Sequence, residues 1–141
     1  MTDNAMDFSR SMAIATSGLR AQAGRMRVIS ENIANAESTA QTPGADPYRR
    51  KVPTFTTTLD RELDARVVSL GRIKPDQSAF RIKYEPNNPA ADAAGNVKYP
   101  NVNSLVEMTD MREAQRSYEA NLNIISATRR MIQRTLDILK A

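Results

Sequence analysis

One stretch limits this chain more than any other: Asn101 to Leu139, NVNSLVEMTDMREAQRSYEANLNIISATRRMIQRTLDIL, contains neither Pro nor Gly. Along it Met108, Met111, Gln115, Tyr118, Leu122, Ile125, Arg129, Ile132, Leu136 and Leu139 recur at alternating three- and four-residue steps. That is the heptad stripe of a helix that lies along another helix. Ser104-Leu105-Val106-Glu107 reads as a capping box, with hydroxyl and carboxylate placed on free donors of the first turn. Glu107, Asp110, Glu113 and Glu119 come early and Arg129, Arg130, Arg134 and Lys140 late, as the helix dipole favours. Such a helix needs a partner.

The other end of the chain offers one. From Asp7 to Ala36 there is again no Pro, and Met12, Ala15, Leu19, Gln22, Met26, Ile29 and Ile33 repeat at three and four. Residues 1–5 are polar and read as frayed. Gly18 and Gly24 each cost about 1 kcal/mol in a helix interior relative to Ala. They either are tolerated flexibility or form, with Ala13, Ser17 and Ala21, a small-residue surface for a close neighbour. An antiparallel pairing with Phe8 near Leu139 sets Glu31 near Arg116. Asn32 and Asn35 share one face at the end of this helix, where Asn serves as a terminator. Gln115, Tyr118 and Asn121 are polar interruptions of the kind that fix register in helical assemblies.

Between the helices the pattern changes. Asn32 to Pro47 gains Asn, Ser, Thr, Gly and Pro, with a turn at Thr42-Pro43-Gly44. Val52–Thr58, Arg66–Leu70 and Phe80–Tyr84 favour extended chain and suggest three short strands of one small, thin-cored sheet. Pro53 confines the first to an edge. Leu59 to Ala65 suggests a turn of helix. Glu85 to Pro100, with three Pro and three Asn, reads as loop with little to bury.

Composition narrows the function. Of the 141 residues 40% are hydrophobic but only 5% aromatic, with no Trp, which argues against a large independent core. The absence of Cys and His removes disulfides, Cys-based zinc sites, a Cys nucleophile and a His general base. No phosphate-binding glycine loop occurs, and no cofactor is expected. Asp60, Glu62 and Asp64 alternate with Arg61 and Arg66 and read as surface ion pairs. The net charge of +4 mixes both signs, so nucleic-acid binding ranks last among the readings. No apolar run approaches the roughly 18 residues of a membrane span, and acids before Met12-Ala13-Ile14-Ala15 argue against a cleaved signal peptide. Tyr48-Arg49-Arg50-Lys51 is the densest basic cluster, either an anion or partner contact or a solvated loop. Two helices meeting on one narrow stripe bury too little to offset ordering some 60 residues, so the ends are expected to order when subunits stack.

With these residues in view, the sequence resembles the bacterial flagellar rod and hook axial family, its proximal-rod members most of all. Ser17-Gly18-Leu19-Arg20-Ala21-Gln22 is similar to the family's S-G-L-x-A-Q, and Asn32-Ile33-Ala34-Asn35 to its N-I-A-N. Glu107-Met108, Met111 and Arg116-Ser117-Tyr118-Glu119-Ala120-Asn121 are similar to its C-terminal signature. Pro47-Tyr48-Arg49-Arg50-Lys51, Tyr99-Pro100-Asn101-Val102-Asn103 and the short middle point to the proximal rod.

The resemblance implies a structural subunit without catalysis. It would be exported unfolded by the flagellar type III apparatus, without a cleaved signal, into the periplasmic space. There it would assemble with copies of itself, other rod proteins, and membrane-ring and adaptor proteins at the rod base, into a drive shaft around the export channel. The expected fold is mainly α with a small β-rich middle, the long terminal helices pairing as a coiled coil. The expected division is 1–36, 37–100 and 101–141, forming one assembly unit. The stripe residues with Asn32, Asn35 and Asn121 form the expected interface; Tyr48 to Lys51, Tyr99, Asn101 and Asn103 are expected loop contacts to neighbouring subunits. The alternative is a soluble coiled-coil adaptor or oligomeric binding module.

Overall fold

Two long Pro-free runs become two long helices in the computed structural model, which describes residues 2–140. The helix α1 spans Thr2–Ala34 and α2 spans Ser104–Lys140. Six short strands lie between them: β1 (Lys51–Val52), β2 (Phe55–Asp60), β3 (Ala65–Leu70), β4 (Lys74–Pro75), β5 (Arg81–Tyr84) and β6 (Asn96–Tyr99). The chain is thus mainly α with a small β-rich middle. The expected fraying of residues 1–5 is corrected from Thr2 on, where the backbone is helical; Met1 lies outside the described residues.

The strands do not form one sheet. They make three separate antiparallel ladders, β1 with β4, β2 with β3 and β5 with β6. Pro53 interrupts the expected first strand, so Lys51–Val52 and Phe55–Asp60 pair with different partners. The expected helical turn at Leu59 to Ala65 is instead the tip of the β2–β3 hairpin. Asp60 Oδ1 accepts there from the backbone N–H of Glu62 at 3.0 Å, and Asp64 takes a φ of +47°. Asp is one of the few residues that tolerate that region.

The chain divides into two compact units. One comprises Met1–Arg25, Thr54–Arg72 and Glu113–Ala141. In it the β2–β3 hairpin lies on α1. Arg10 Nε donates to the Leu63 carbonyl at 2.6 Å, and Val68 N–H donates to Ser17 Oγ at 3.2 Å. A Cβ on Gly24 would come within 2.9 Å of Leu70 Cδ2. Arg10, Ser17 and Gly24 recur every seven residues, so one column of α1 faces the hairpin. Gly18, one position on, faces α2, where an added Cβ would meet the Asn121 carboxamide at 2.9 Å. Both glycines are there because something lies against them.

The other unit comprises Met26–Pro53 and Ile73–Arg112. Its core corrects the reading of 85–100 as empty loop. Val97, fully buried, packs with Ala90 and Tyr99, and Pro100 and Val102 are buried as well. A four-residue strand flanked by Pro and Gly is too short to show its alternation in composition. Gly95, at φ +81°, closes the turn into β6, and Asp92 Oδ1 accepts from the N–H groups of Ala94 and Asn96, each at 2.9 Å.

A Cβ on Gly95 would fall 2.8 Å from the Tyr84 ring. Gly95→Ala is therefore expected to lower the unfolding free energy by about 1–3 kcal/mol, from strained backbone and crowding together. Urea denaturation of the full chain checks it.

Candidate functional site

The start of α2 is set by Asn103. Its Oδ1 accepts from the N–H groups of Leu105 at 3.0 Å and Val106 at 3.4 Å. The cap is therefore Asn103, and the expected Ser104/Glu107 capping box is corrected. Glu107 is released from capping and points inward, 0% exposed.

A carboxylate that is fully buried must be hydrogen-bonded and paired. Glu107 Oε1 accepts from Arg50 Nε at 2.6 Å, and Oε2 accepts from Asn32 Nδ2 at 3.1 Å. Asn32, also 0% exposed, uses both ends of its carboxamide. Its Nδ2 also donates to the Lys51 carbonyl at 2.8 Å, while Oδ1 accepts from Tyr48 Oη at 2.8 Å and Lys51 N–H at 2.9 Å. Arg50 continues outward to Asp76 at 3.5 Å and Asp110 at 3.8 Å. Asn101 accepts from Arg50 N–H at 2.8 Å and donates to the carbonyl of Asp76 at 3.1 Å and the hydroxyl of Ser78 at 2.9 Å. The end of α1, the 48–51 segment, the turn after β4 and the start of α2 meet in this one polar knot.

The electrostatics follow the contacts. Burial works against the Arg50 charge, but the hydrogen bond and field of Glu107, then Asp76, outweigh it and raise the guanidinium above its usual range. The Asp76 carboxyl is held below the usual carboxylate range, first by the Ser78 backbone N–H and hydroxyl, then by Arg50. Burial, then the Glu31 and Glu107 carboxylates, push the Tyr48 phenol up to about 12.

Of the expected loop contacts, Tyr48, Arg50, Lys51 and Asn101 thus engage groups of their own chain. Lys51 pairs with Glu31. Arg49 lies over the Phe80 ring, 4.2 Å from its centroid, and donates to the Asp76 carbonyl at 3.0 Å. Tyr99 donates to Glu85 Oε2 at 2.9 Å. Asn35 donates back to the Glu31 carbonyl at 2.9 Å and ends the helix, as its terminator reading expects.

The α2 stripe is rotated from its expected position. Met111, Tyr118, Ile125 and Ile132 are half-buried, but the inward partners are Glu107, Ala114, Asn121 and Thr128. Met108, Gln115, Leu122, Arg129, Leu136 and Leu139 are exposed. On α1, Ala15 and Ile29 are buried, and Met12, Leu19, Gln22, Met26 and Ile33 are half-buried. The contact side of α2 is small and polar because size, not apolarity, decides what fits against Gly18. Sequence reading ranked residues by apolarity and so took the neighbouring column. Asp76 and Ser78 carry no local signal, lying more than 20 residues from Arg50.

The comparisons with known proteins agree with this layout. Residues 12–40 match the family described as Flagella basal body rod protein, and residues 93–138 match that described as Flagellar basal body rod FlgEFG protein C-terminal. These two stretches carry most of α1 and α2. The flagellar basal-body rod protein FlgC of Agrobacterium fabrum is 53% identical over 134 residues, 95% of this chain and 96% of the relative. Those of Aquifex aeolicus and Bacillus subtilis are 37% and 36% identical, over 96% of this chain and 99% and 100% of the relative. The chain belongs to the FlgC family of flagellar basal-body rod proteins. It is a structural subunit of the basal-body rod.

Removing one partner of a buried ion pair strands the other, at a cost of about 3–5 kcal/mol; Arg50→Ala is expected to lose that much in urea denaturation. The raised Tyr48 pKa has a definite sign. Its contribution is full below the unfolded value of 10.0 and is lost as pH rises through about 12. The stability difference between the unaltered chain and Tyr48→Phe is expected to shrink across that window, measured by paired urea titrations.

Proposed function

We propose that this chain is a proximal-rod subunit, polymerising through its terminal helices into the drive shaft that transmits torque around the export channel. The observation that carries this reading is the set of large apolar side chains that α2 leaves exposed. Met108 is 54% exposed, Leu122 45%, Leu136 45% and Leu139 61%, with Ile124, Met131 and Ile138 also exposed. So many large apolar side chains left in water along one helix mark a surface that another protein covers. Two dissimilar faces on one subunit give heterologous contacts, which close into rings or run on as helical filaments.

In this reading the terminal helices pair as a coiled coil, and the parts 1–36, 37–100 and 101–141 act as one assembly unit. Further copies, other rod proteins and the ring and adaptor proteins at the rod base cover the exposed columns. The subunit reaches the periplasmic space unfolded, through the flagellar type III apparatus. A chain without Cys travels that route with no disulfide to resolve. Among the described residues no helix is long and apolar enough to cross a membrane. The subunit performs no catalysis, binds no cofactor and contacts no nucleic acid.

Leu122→Asp and Leu136→Asp are expected to abolish swarming in a strain lacking the native subunit while secretion of the chain continues. Their urea midpoints should match the unaltered chain, because both side chains already face water. Ile125→Asp, on the half-buried side, is expected to lower the midpoint as well. Full swarming by the Leu122→Asp strain would contradict the assignment of that column.

A further inference from the structure

A two-stranded ladder leaves an outer edge on each strand, and the bonds at its end show which groups face that edge. In the β2–β3 hairpin Gly71 N–H donates to the Thr54 carbonyl at 2.7 Å, and Phe55 stands opposite Leu70. Alternation then turns the main-chain groups of Thr56, Thr58 and Asp60 toward β3, and those of Phe55, Thr57 and Leu59 away from it. On β3 the outward set is Arg66, Val68 and Leu70, and the Val68 N–H meets Ser17 Oγ of α1. The β3 edge is thus taken. The β2 edge is open: among the described residues nothing bonds the outward main chain of Phe55, Thr57 or Leu59.

The β5–β6 ladder has the same asymmetry. Glu85 N–H donates to the Gly95 carbonyl at 2.9 Å, so Ile82 and Tyr84 turn their main-chain groups away from β6. On β6 the outward groups of Asn96 are used in the turn, its N–H on Asp92 Oδ1 and its carbonyl on the Asp92 N–H, each at 2.9 Å. On β5 the outward groups have no partner among the described residues. The open edges also carry exposed apolar side chains, Phe55 and Leu59 on β2, and on β5 Ile82 at 66% and Tyr84 at 72%. Proteins normally blunt an open edge with charge or Pro. Arg81, Lys83 and Pro86 blunt β5 against its own kind, whereas β2, FTTTLD, carries no charge before Asp60.

We propose that the open edge of β2 in one copy takes up β5 of a second copy as an added antiparallel strand. Setting Leu59 opposite Ile82 and Thr57 opposite Tyr84 brings outward groups together on both sides, and each such pair exchanges two main-chain bonds. Thr58 then stands opposite Lys83, and Asp60, the acidic residue of β2, opposite Arg81. Pairing β5 with β5 would instead bring Arg81 and Lys83 of both copies together, which like charge disfavours. The same alternation puts Phe55, Leu59, Ile82 and Tyr84 on one face, so two exposed apolar strips merge into one. The two edges differ, so the contact is heterologous and can repeat along an assembly. It rests on the rod-subunit reading, to which it adds an interface made outside the terminal helices.

The chain has no native Cys, so two singly substituted chains report the contact. Thr58→Cys and Lys83→Cys fall opposite each other at a position without main-chain bonds, where Cα atoms come closest. The two chains are produced together in a strain lacking the native subunit, and the basal bodies are oxidised. Because each chain carries one Cys, every link joins two copies. The 58–83 link is expected to exceed the 56–83 link, made with Thr56→Cys, by more than about tenfold, since a two-residue displacement exceeds disulfide reach. Thr57→Pro removes only an outward N–H, which an edge strand tolerates. Added to the Thr58→Cys chain, it is expected to cut the 58–83 link at least about tenfold, with the urea midpoint of the purified chain unchanged. A 58–83 link no greater than the 56–83 link, or undiminished by Thr57→Pro, overturns the proposal. So does a Thr58→Cys chain that links to anything other than position 83. If Thr57→Pro lowers the midpoint, the comparison of 58–83 with 56–83 decides alone. Absence of the unaltered chain from basal bodies tells against the rod reading, and the contact falls with it; chains present without the link tell against the contact alone.

Discussion

The interaction on which most of this structure depends is the buried carboxylate of Glu107 between Arg50 and Asn32. A fully desolvated carboxylate is tolerable only with its donors in place, and here the donors come from elements far apart in sequence. Asn32 sits near the end of α1 and Arg50 in the segment that follows Pro47. The second layer, Asp76, Ser78 and Asn101, comes from the turn after β4 and the run-in to α2. Glu107 is buried with both donors only where the end of α1, the 48–51 segment and the start of α2 come together. The apolar core beside it, Ala90, Val97 and Tyr99, is small, so the polar contacts carry an unusual share of the specificity.

The helices were legible because their signals are local. Absence of Pro, apolar recurrence at three and four, and charge ordering along the dipole gave both helices to within a few residues. The β segment was less legible because its ladders are short and its pairings cross the sequence. Lys51–Val52 pairs with Lys74–Pro75, and nothing in either dipeptide announces the other. The knot was half visible. Asn32, Arg50, Tyr48 and Asn101 stood out as motif residues, but Asn32 was read as a terminator and the other three as contacts to neighbours. Their partner Glu107 looked like a cap because Ser104 stands three residues ahead of it; Asn103, one residue earlier, had the better side chain for the role.

The rotation of the α2 stripe carries the wider lesson. Large apolar residues mark the inside of a helix only when the protein is complete. Here the inward column, Glu107, Ala114, Asn121 and Thr128, is small or polar, while Met108, Leu122 and Leu136 face water. A monomer that left these exposed would be poorly designed for solubility, whereas a subunit of a rod has neighbours to cover them. The stripe found in the sequence is divided by the fold: Met111, Tyr118, Ile125 and Ile132 stay half-buried, and Met108, Leu122 and Leu136 lie outside, where the proposed neighbours would cover them.

Site-specific photocrosslinking in flagellated cells tests that account most directly. A photoreactive residue at Leu122 is expected to capture a neighbouring rod subunit in intact basal bodies, whereas one at Thr128, on the inward column, is expected to yield links only within its own chain. Intersubunit capture from position 128 and none from 122, in cells that still swim, would contradict it.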